Sequence, residues 1–262
     1  MGILPLLKWP GGKRFLLQHF ADAIPKSYNR YFEPFAGGAA LFFNLLPQKA
    51  MLSDKNEELM NCYSIVRDKP EDVLAAIETW ENCEEVYYQV RSLESRDPTV
   101  RAARLIYLVT LSFNGIHRVN MKGKFNVPYG QKTHVRVADR DRIISCSAAL
   151  KNAELLSEDF ESVAGRAKTG DFVYFDPPYT VAHGNNGFVK YNDKIFTWKD
   201  QERLMHCAAS LKDRGVYVLI SNADHVSIRD LYKDFTLTEI SRISVMASES
   251  QFRRRVSELI LY

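Results

Sequence analysis

Four short segments hold residue types, at spacings, that can do chemistry. The most specific is Asp176-Pro177-Pro178-Tyr179, which directly follows the apolar run Phe172 to Phe175. In open α/β sheets, ligands bind beyond the carboxyl ends of strands. The paired prolines stiffen the backbone and supply no N–H, while their carbonyls can accept hydrogen bonds. Asp176 adds a carboxylate and Tyr179 a flat ring. Two acceptors beside a stacking ring suit a primary amine on an aromatic base. A proline-rich turn with a capping acid is the plainer reading, and the buried strand immediately upstream weighs against it.

Two glycine turns come earlier. Lys8-Trp9-Pro10-Gly11-Gly12-Lys13 lets the backbone approach a ligand and leads into a helical pattern whose N-terminus can take an anion. Trp9 can stack on a flat ring, or pack as an ordinary tryptophan of a surface loop. Tyr31-Phe32-Glu33-Pro34-Phe35-Ala36-Gly37-Gly38-Ala39-Ala40 reads as strand, glycine turn and helix, the crossover of nucleotide-binding folds. The full G-x-G-x-x-G is missing, which counts against a nicotinamide cofactor and a Rossmann dehydrogenase. Asp54 closes the next strand. A carboxylate there can accept from ribose hydroxyls, or simply cap a helix.

The fourth segment runs from Asn114 to Gly130, with Lys122-Gly123-Lys124 placed to turn a β-hairpin. Between Asn114 and Arg142 stand seven basic residues and two acidic ones, although the 262-residue chain nets only +3. Basic side chains track phosphates, and an arginine in the major groove can read guanine. Ile116 or Pro128 can wedge between bases. By itself, a solvated hairpin explains the same charges.

The elements that must position these segments alternate strand and helix. Seven β-like runs stand out: 31–35, 50–54, 153–159, 172–177, 216–222, 235–241 and 256–262. Near-continuous apolar runs such as Val216 to Ile220 read as strands covered on both faces, usually in a parallel sheet. Helical patterns cover 13–24, 39–46 and 198–213, the last stopped by Gly215. This is the pattern of a doubly wound α/β fold. Four helical stretches (57–66, 70–81, 84–93, 99–113) interrupt it and read as an insert. The expected division is 1–56 with 145–262 as the core, and 57–144 as the inserted domain.

Composition is that of a globular chain, with 46% hydrophobic and 26% charged residues. No apolar stretch approaches the ~20 residues of a membrane span, and no signal peptide is visible. The four cysteines form no Cys-x-x-Cys pair, so neither structural zinc nor a disulfide framework is expected, and free thiols suit a reducing cytoplasm.

Taken together, the K-W-x-G-G-K loop, the P-F-x-G turn, the acid after the second strand, the N-G-x-x-R-x-N hairpin start and D-P-P-Y resemble the Dam-type DNA adenine-N6 methyltransferases. The resemblance follows the family's order over nearly the whole chain, including Ile220-Ser221-Asn222 and the final strand. The family often has a glycine where Ala39 stands. The resemblance implies a Rossmann-like, seven-stranded methyltransferase core with a mainly helical target-recognition insert bearing a β-hairpin. It implies S-adenosylmethionine as methyl donor and no metal. Trp9, Lys13, Asp54 and Asp176 fall on cofactor positions, with Gly37 in the turn and Phe35, Asp159 and Phe160 lining the adenosine pocket. Asp176, Pro177 and Tyr179 become the catalytic residues. Lys8, Asn114, Ile116, Arg118, Asn120, Lys122, Lys124, Asn126 and Pro128 become the contacts to double-stranded DNA. Hairpin residues matching Ile116, Arg118 and Pro128 belong to family members acting on GATC, so GATC is the first expectation, although His117 and Val119 depart from that pattern. The chain is expected to be a cytoplasmic monomer, bacterial or phage-encoded, with a cognate restriction endonuclease as a further partner. Alternatives are another short adenine site, cytosine-N4 methylation, or a non-enzymatic DNA binder. Cytosine-C5 chemistry is excluded, because its nucleophilic cysteine follows a proline and no Pro-Cys occurs.

Overall fold

The computed structural model describes residues 2–13, 19–20, 23–180, 196–243 and 255–262. The helix expected over 13–24 lies largely outside these residues. All seven expected strands are present: β1 (Tyr31–Glu33), β2 (Ala50–Ser53), β3 (Ala153–Leu156), β4 (Phe172–Phe175), β5 (Tyr217–Ala223), β6 (Leu237–Ile243) and β7 (Arg255–Leu261). They form one sheet in the order β3-β2-β1-β4-β5-β7-β6.

The pairs β2–β3, β1–β4 and β4–β5 are parallel, as expected. The last strand runs the other way: β7 inserts between β5 and β6 and is antiparallel to both. The fold is thus a Rossmann-like α/β sandwich on a mixed sheet. Strand order reverses at the β1–β4 neighbours, and such a switch point opens a crevice at the strands' carboxyl ends.

The chain packs as two compact units. The first comprises Met1–Arg14 and Ala36–Glu158. It holds β2, β3 and helices α1 (Ala40–Leu45), α2 (Glu57–Asp68), α3 (Pro70–Glu78), α4 (Glu84–Ser92), α5 (Pro98–Leu111) and α6 (Arg140–Leu150). Helix α5 is its centre, with Ala102, Leu105, Ile106, Leu108, Val109 and Leu111 buried. Its start is well specified: the Asp97 carboxylate accepts from the Thr99 N–H at 2.7 Å, and Pro98 stands at the first helical position. The second unit comprises Phe15–Phe35 and Asp159–Tyr262. It holds β1, β4–β7 and helices α7 (Phe160–Ala164), α8 (Trp198–Asp213) and α9 (Val226–Leu231). A reciprocal Thr197–Asp200 capping box starts α8, and Gly215, at φ +74°, follows its end. All four residues of β4 are buried. Each of its phenylalanines contributes about 1.5–3 kcal/mol by leaving water, so the platform beneath Asp176 is stiff. No helix among the described residues is long and apolar enough to cross a membrane.

Candidate active site

Asp176 emerges directly from β4, half-exposed. Its Oδ1 accepts a hydrogen bond from Ser221 Oγ on β5 at 2.7 Å. Ser221 Oγ lies 3.0 Å from the Tyr174 hydroxyl. A serine hydroxyl has one proton, and it goes to Asp176, so Tyr174 is the donor in the second bond. Burial holds the Tyr174 phenol well above its ordinary range, which keeps it protonated. The result is a relay, Tyr174 to Ser221 to Asp176, that holds one oxygen of the carboxylate from within the sheet. Three residues on, the Tyr179 hydroxyl donates to Glu258 Oε2 on β7 at 2.8 Å. Glu258 is buried at 1% exposure, so the tyrosine ring is anchored from the sheet. The antiparallel strand β7 therefore has a positional role.

Phe35 lies just past β1, which ends at Glu33 rather than at Phe35 as expected. Its ring stacks on Phe160 at 5.2 Å and 26°, and meets Phe196 edge-on at 5.5 Å. Asp159 does not close β3, which stops at Leu156. It caps α7, accepting from the Glu161 N–H, and pairs with Arg203 at 2.9 Å. Arg203 also binds Glu161 and Asp200 and covers the Phe160 ring at 4.9 Å.

In the first unit, Gly37, at φ +46°, is clamped on both sides of its peptide. Its N–H donates to Asp54 Oδ2 at 2.9 Å, and its carbonyl accepts from the Tyr63 hydroxyl at 2.7 Å. Asp54 Oδ1 accepts from the Asn56 N–H at 2.9 Å. Burial raises the Asp54 carboxyl above its ordinary value, against the pull of the two N–H groups. Each oxygen keeps a second lone pair. Ala39 also adopts the left-handed conformation, φ +49° and ψ +41°. Left-handed backbone costs a non-glycine residue about 1–2 kcal/mol, so the turn keeps its shape without the glycine common in the family.

Trp9, Pro10, Gly11 and Gly12 form a tight turn closed by the Gly12 N–H on the Trp9 carbonyl at 3.0 Å, with Gly11 at φ +79°. Pro10 then Gly11 is the type II pattern. Lys13 is buried at 5% exposure. A Cβ on Gly37 would lie 3.0 Å from Trp9 Cδ1, and one on Gly38 3.2 Å from Trp9 Cβ. Both glycines thus make room for the tryptophan.

The expected hairpin is present but short. An antiparallel bridge joins Val119 to Phe125, and Asn120 Oδ1 accepts from the N–H groups of Lys122 and Lys124 across the turn. Arg118 Nε donates to Asn126 Oδ1 at 2.8 Å. Lys8 Nζ donates to the Asn114 carbonyl at 2.7 Å. Ile116 is half-exposed and Pro128 exposed. The local basic excess is smaller than sequence implied: Lys124 pairs with Glu94, Arg140 with Glu71 and Arg142 with Asp139. Lys132 donates to the Thr110 carbonyl. Lys122 stays exposed at the tip.

The structure therefore brings Trp9, Gly37 and Asp54 into one cluster, Phe35 and Phe160 into another, and Asp176 and Tyr179 onto β5 and β7 supports. Sequence reasoning missed the supporting roles of Ser221, Tyr174 and Glu258; an acid immediately before the apolar run Leu259 to Leu261 was the available signal. It also missed His117, whose ring stacks on Trp9. Burial pushes the thiols up, Cys146 to about 12 and Cys207 to about 11, so neither is a ready nucleophile at neutral pH.

A carboxylate and a tyrosine ring thus stand just beyond the fourth strand of a Rossmann-like sheet, where such folds bind their ligands. The family model of D12 class N6 adenine-specific DNA methyltransferases matches residues 9–246, and the chain belongs to that family. It is 40% identical to the type II methyltransferase M1.LlaDCHI of Lactococcus lactis subsp. cremoris, over 100% of this chain and 95% of that one. It is 34% identical to the type II methyltransferase M.MjaIII of Methanocaldococcus jannaschii, over 92% and 91%. It is 33% identical to the DNA adenine methylase of Escherichia coli K12, over 97% and 93%. The chain is thus an adenine-specific DNA methyltransferase, a class whose methyl donor is S-adenosylmethionine and whose substrate is DNA.

Proposed function

We propose that the chain methylates N6 of an adenine flipped out of duplex DNA, within GATC. The carboxylate of Asp176, held at the end of β4 by Ser221, is the observation that carries this reading. An adenine stacked and paired inside a duplex cannot present its N6 to an enzyme carboxylate, and extruding it costs a few kcal/mol. Tyr179 stacks on the extruded ring, its hydroxyl fixed by Glu258. Asp176 and the Pro177 carbonyl accept hydrogen bonds from the two N6–H groups, and the one proton that N6 sheds on methylation leaves along the Asp176 bond to solvent. The two hydrogen bonds draw the N6 lone pair out of conjugation and make it nucleophilic. S-adenosylmethionine, when bound, supplies an electrophilic methyl group on sulfur. The chain's contribution is positioning and fixed dipoles, with no covalent enzyme intermediate and no metal in the scheme.

The residues fit that donor. Asp54 has lone pairs left for ribose hydroxyls, and the Phe35–Phe160 pair offers flat apolar surface for an adenine ring. Trp9, Lys13 and Gly37 are assigned to the same ligand. Residues 57–144 are assigned to target recognition, with Lys8, Asn114, Ile116, Arg118, Asn120, Lys122, Lys124, Asn126 and Pro128 facing DNA. Residues 1–56 and 145–262 are assigned to catalysis. A cytoplasmic location, a monomeric state and a restriction-endonuclease partner complete the proposal; the type II names of two relatives support the partner.

The test is to express the chain in a methylation-free host and sequence its DNA with modified-base detection. N6-methyladenine confined to GATC is the expected result. N6-methyladenine in another site would overturn the GATC assignment alone. N4-methylcytosine, or unmodified DNA from a host containing soluble protein, would overturn the chemistry.

A further inference from the structure

The loop 8–13 and the hairpin 114–126 were separate motifs in the sequence, one assigned to cofactor and one to DNA. The structure joins them at two points. Lys8 Nζ donates to the Asn114 carbonyl, and a Cβ on Gly115 would lie 3.2 Å from Lys8 Cδ, so the hairpin backbone rests on the lysine stem. Next to this, the Trp9 indole stacks on the His117 ring, centroids 4.6 Å apart and planes within 15°. His117 in turn meets Phe125 across the hairpin, edge to face at 5.6 Å. The pyrrole ring of Trp9 also lies beside Gly37, whose N–H is held by Asp54. An unbroken run of contacts thus leads from Phe125 through His117 and Trp9 to Gly37 and Asp54.

Burial lowers the His117 imidazole to about 4, so the ring is neutral at physiological pH. A neutral flat ring stacks on indole without a charge to hydrate, and such aromatic pairs favour offset-stacked geometry. The contact is therefore one of shape, and another flat apolar ring can replace it.

We propose that His117 is a positioning residue that couples the DNA-recognition hairpin to the cofactor turn through Trp9, so that DNA and S-adenosylmethionine each tighten the binding of the other. Binding linkage is reciprocal, so either ligand can report it. The proposal rests on the cofactor and DNA assignments made above, and its test separates the two.

The experiment is calorimetric titration of S-adenosylmethionine into the full chain, with and without sheared unmethylated DNA. The parent, His117→Ala and His117→Phe are compared. In the parent, DNA should tighten cofactor binding about five- to tenfold. His117→Ala should bind each ligand alone within about threefold of the parent and lose that enhancement, the usual range of coupling being set by differential contacts. His117→Phe should restore it. An enhancement retained in His117→Ala, or lost in a folded His117→Phe, would overturn the coupling. Absence of enhancement in a parent that binds both ligands would overturn it too. A parent that binds no cofactor at all would instead overturn the site assignment, and the coupling with it.

Discussion

Replacing Ser221 by alanine tests the catalytic assignment at its support rather than at the carboxylate itself. The change deletes one oxygen that joins two bonds: 2.7 Å to Asp176 and 3.0 Å to Tyr174. Two consequences separate. First, the Tyr174 hydroxyl, on a fully buried residue, loses that partner, at a cost of about 1–3 kcal/mol of stability. Second, Asp176 loses a hydrogen bond to a charged group, a bond worth about 1.5–3 kcal/mol. If that energy serves to hold the carboxylate in its reactive orientation, it appears in the barrier. At about 1.4 kcal/mol per tenfold in rate, the methyl-transfer step slows about 10- to 150-fold. Ground-state binding of cofactor and DNA should change little, because Ser221 is not assigned to touch either. The assay is single-turnover transfer of a labelled methyl group to unmethylated duplex, with Kd for both ligands measured alongside. Tyr174→Phe is the companion variant. It leaves the serine proton on Asp176, so it should lose stability by about 1 kcal/mol and slow transfer less than Ser221→Ala does. A Ser221→Ala enzyme that transfers at the parent rate would refute the claim that this relay positions Asp176.

Asp176→Ala should abolish methyl transfer while leaving DNA affinity within about threefold, because phosphate contacts dominate that affinity; near-parent turnover would remove Asp176 from the mechanism. Arg118→Ala should relax sequence choice at one base pair, by about 1–3 kcal/mol of discrimination, visible in a methylation profile across all single-base variants of the site. Gly37→Ala places a methyl 3.0 Å from Trp9 on a left-handed backbone, so Tm should fall and cofactor affinity with it; unchanged calorimetric binding would show that the turn is not a cofactor support. Finally, His117 has a folded-state pKa near 4 against an ordinary 6.5. The unfolded chain binds more protons between those values, so the stability that comes from keeping this ring neutral is present above about 6.5 and is lost as the pH falls toward 4. His117→Phe lacks that loss, so its Tm advantage over the parent should grow on acidification through this window; parallel Tm curves would show that the ring is not buried neutral.

The sheet was legible because its signal is local. Runs such as Phe172 to Phe175 and Val216 to Ile220 need only burial on both faces to declare themselves. Strand direction leaves no such mark, so the antiparallel entry of β7, and with it the placing of Glu258 beneath Tyr179, could not be read. Helix α6 escaped for another reason. Its buried positions Ile143, Cys146, Ser147 and Leu150 keep helical spacing, but cysteine and serine occupy two of them and hide the apolar stripe. Helices α7 and α9, of five and six residues, are too short for any period to show. The glycine turns make the deeper point. Gly37 was read as a place where backbone approaches a ligand, and the structure shows that Trp9 already uses part of that space. A missing Cβ records only that something comes close, whether cofactor or protein. Here the same tryptophan also stacks on a ring of the hairpin assigned to recognition. The same glycine can therefore serve ligand approach and internal packing at once, and the packing partner ties the turn to the hairpin assigned to DNA.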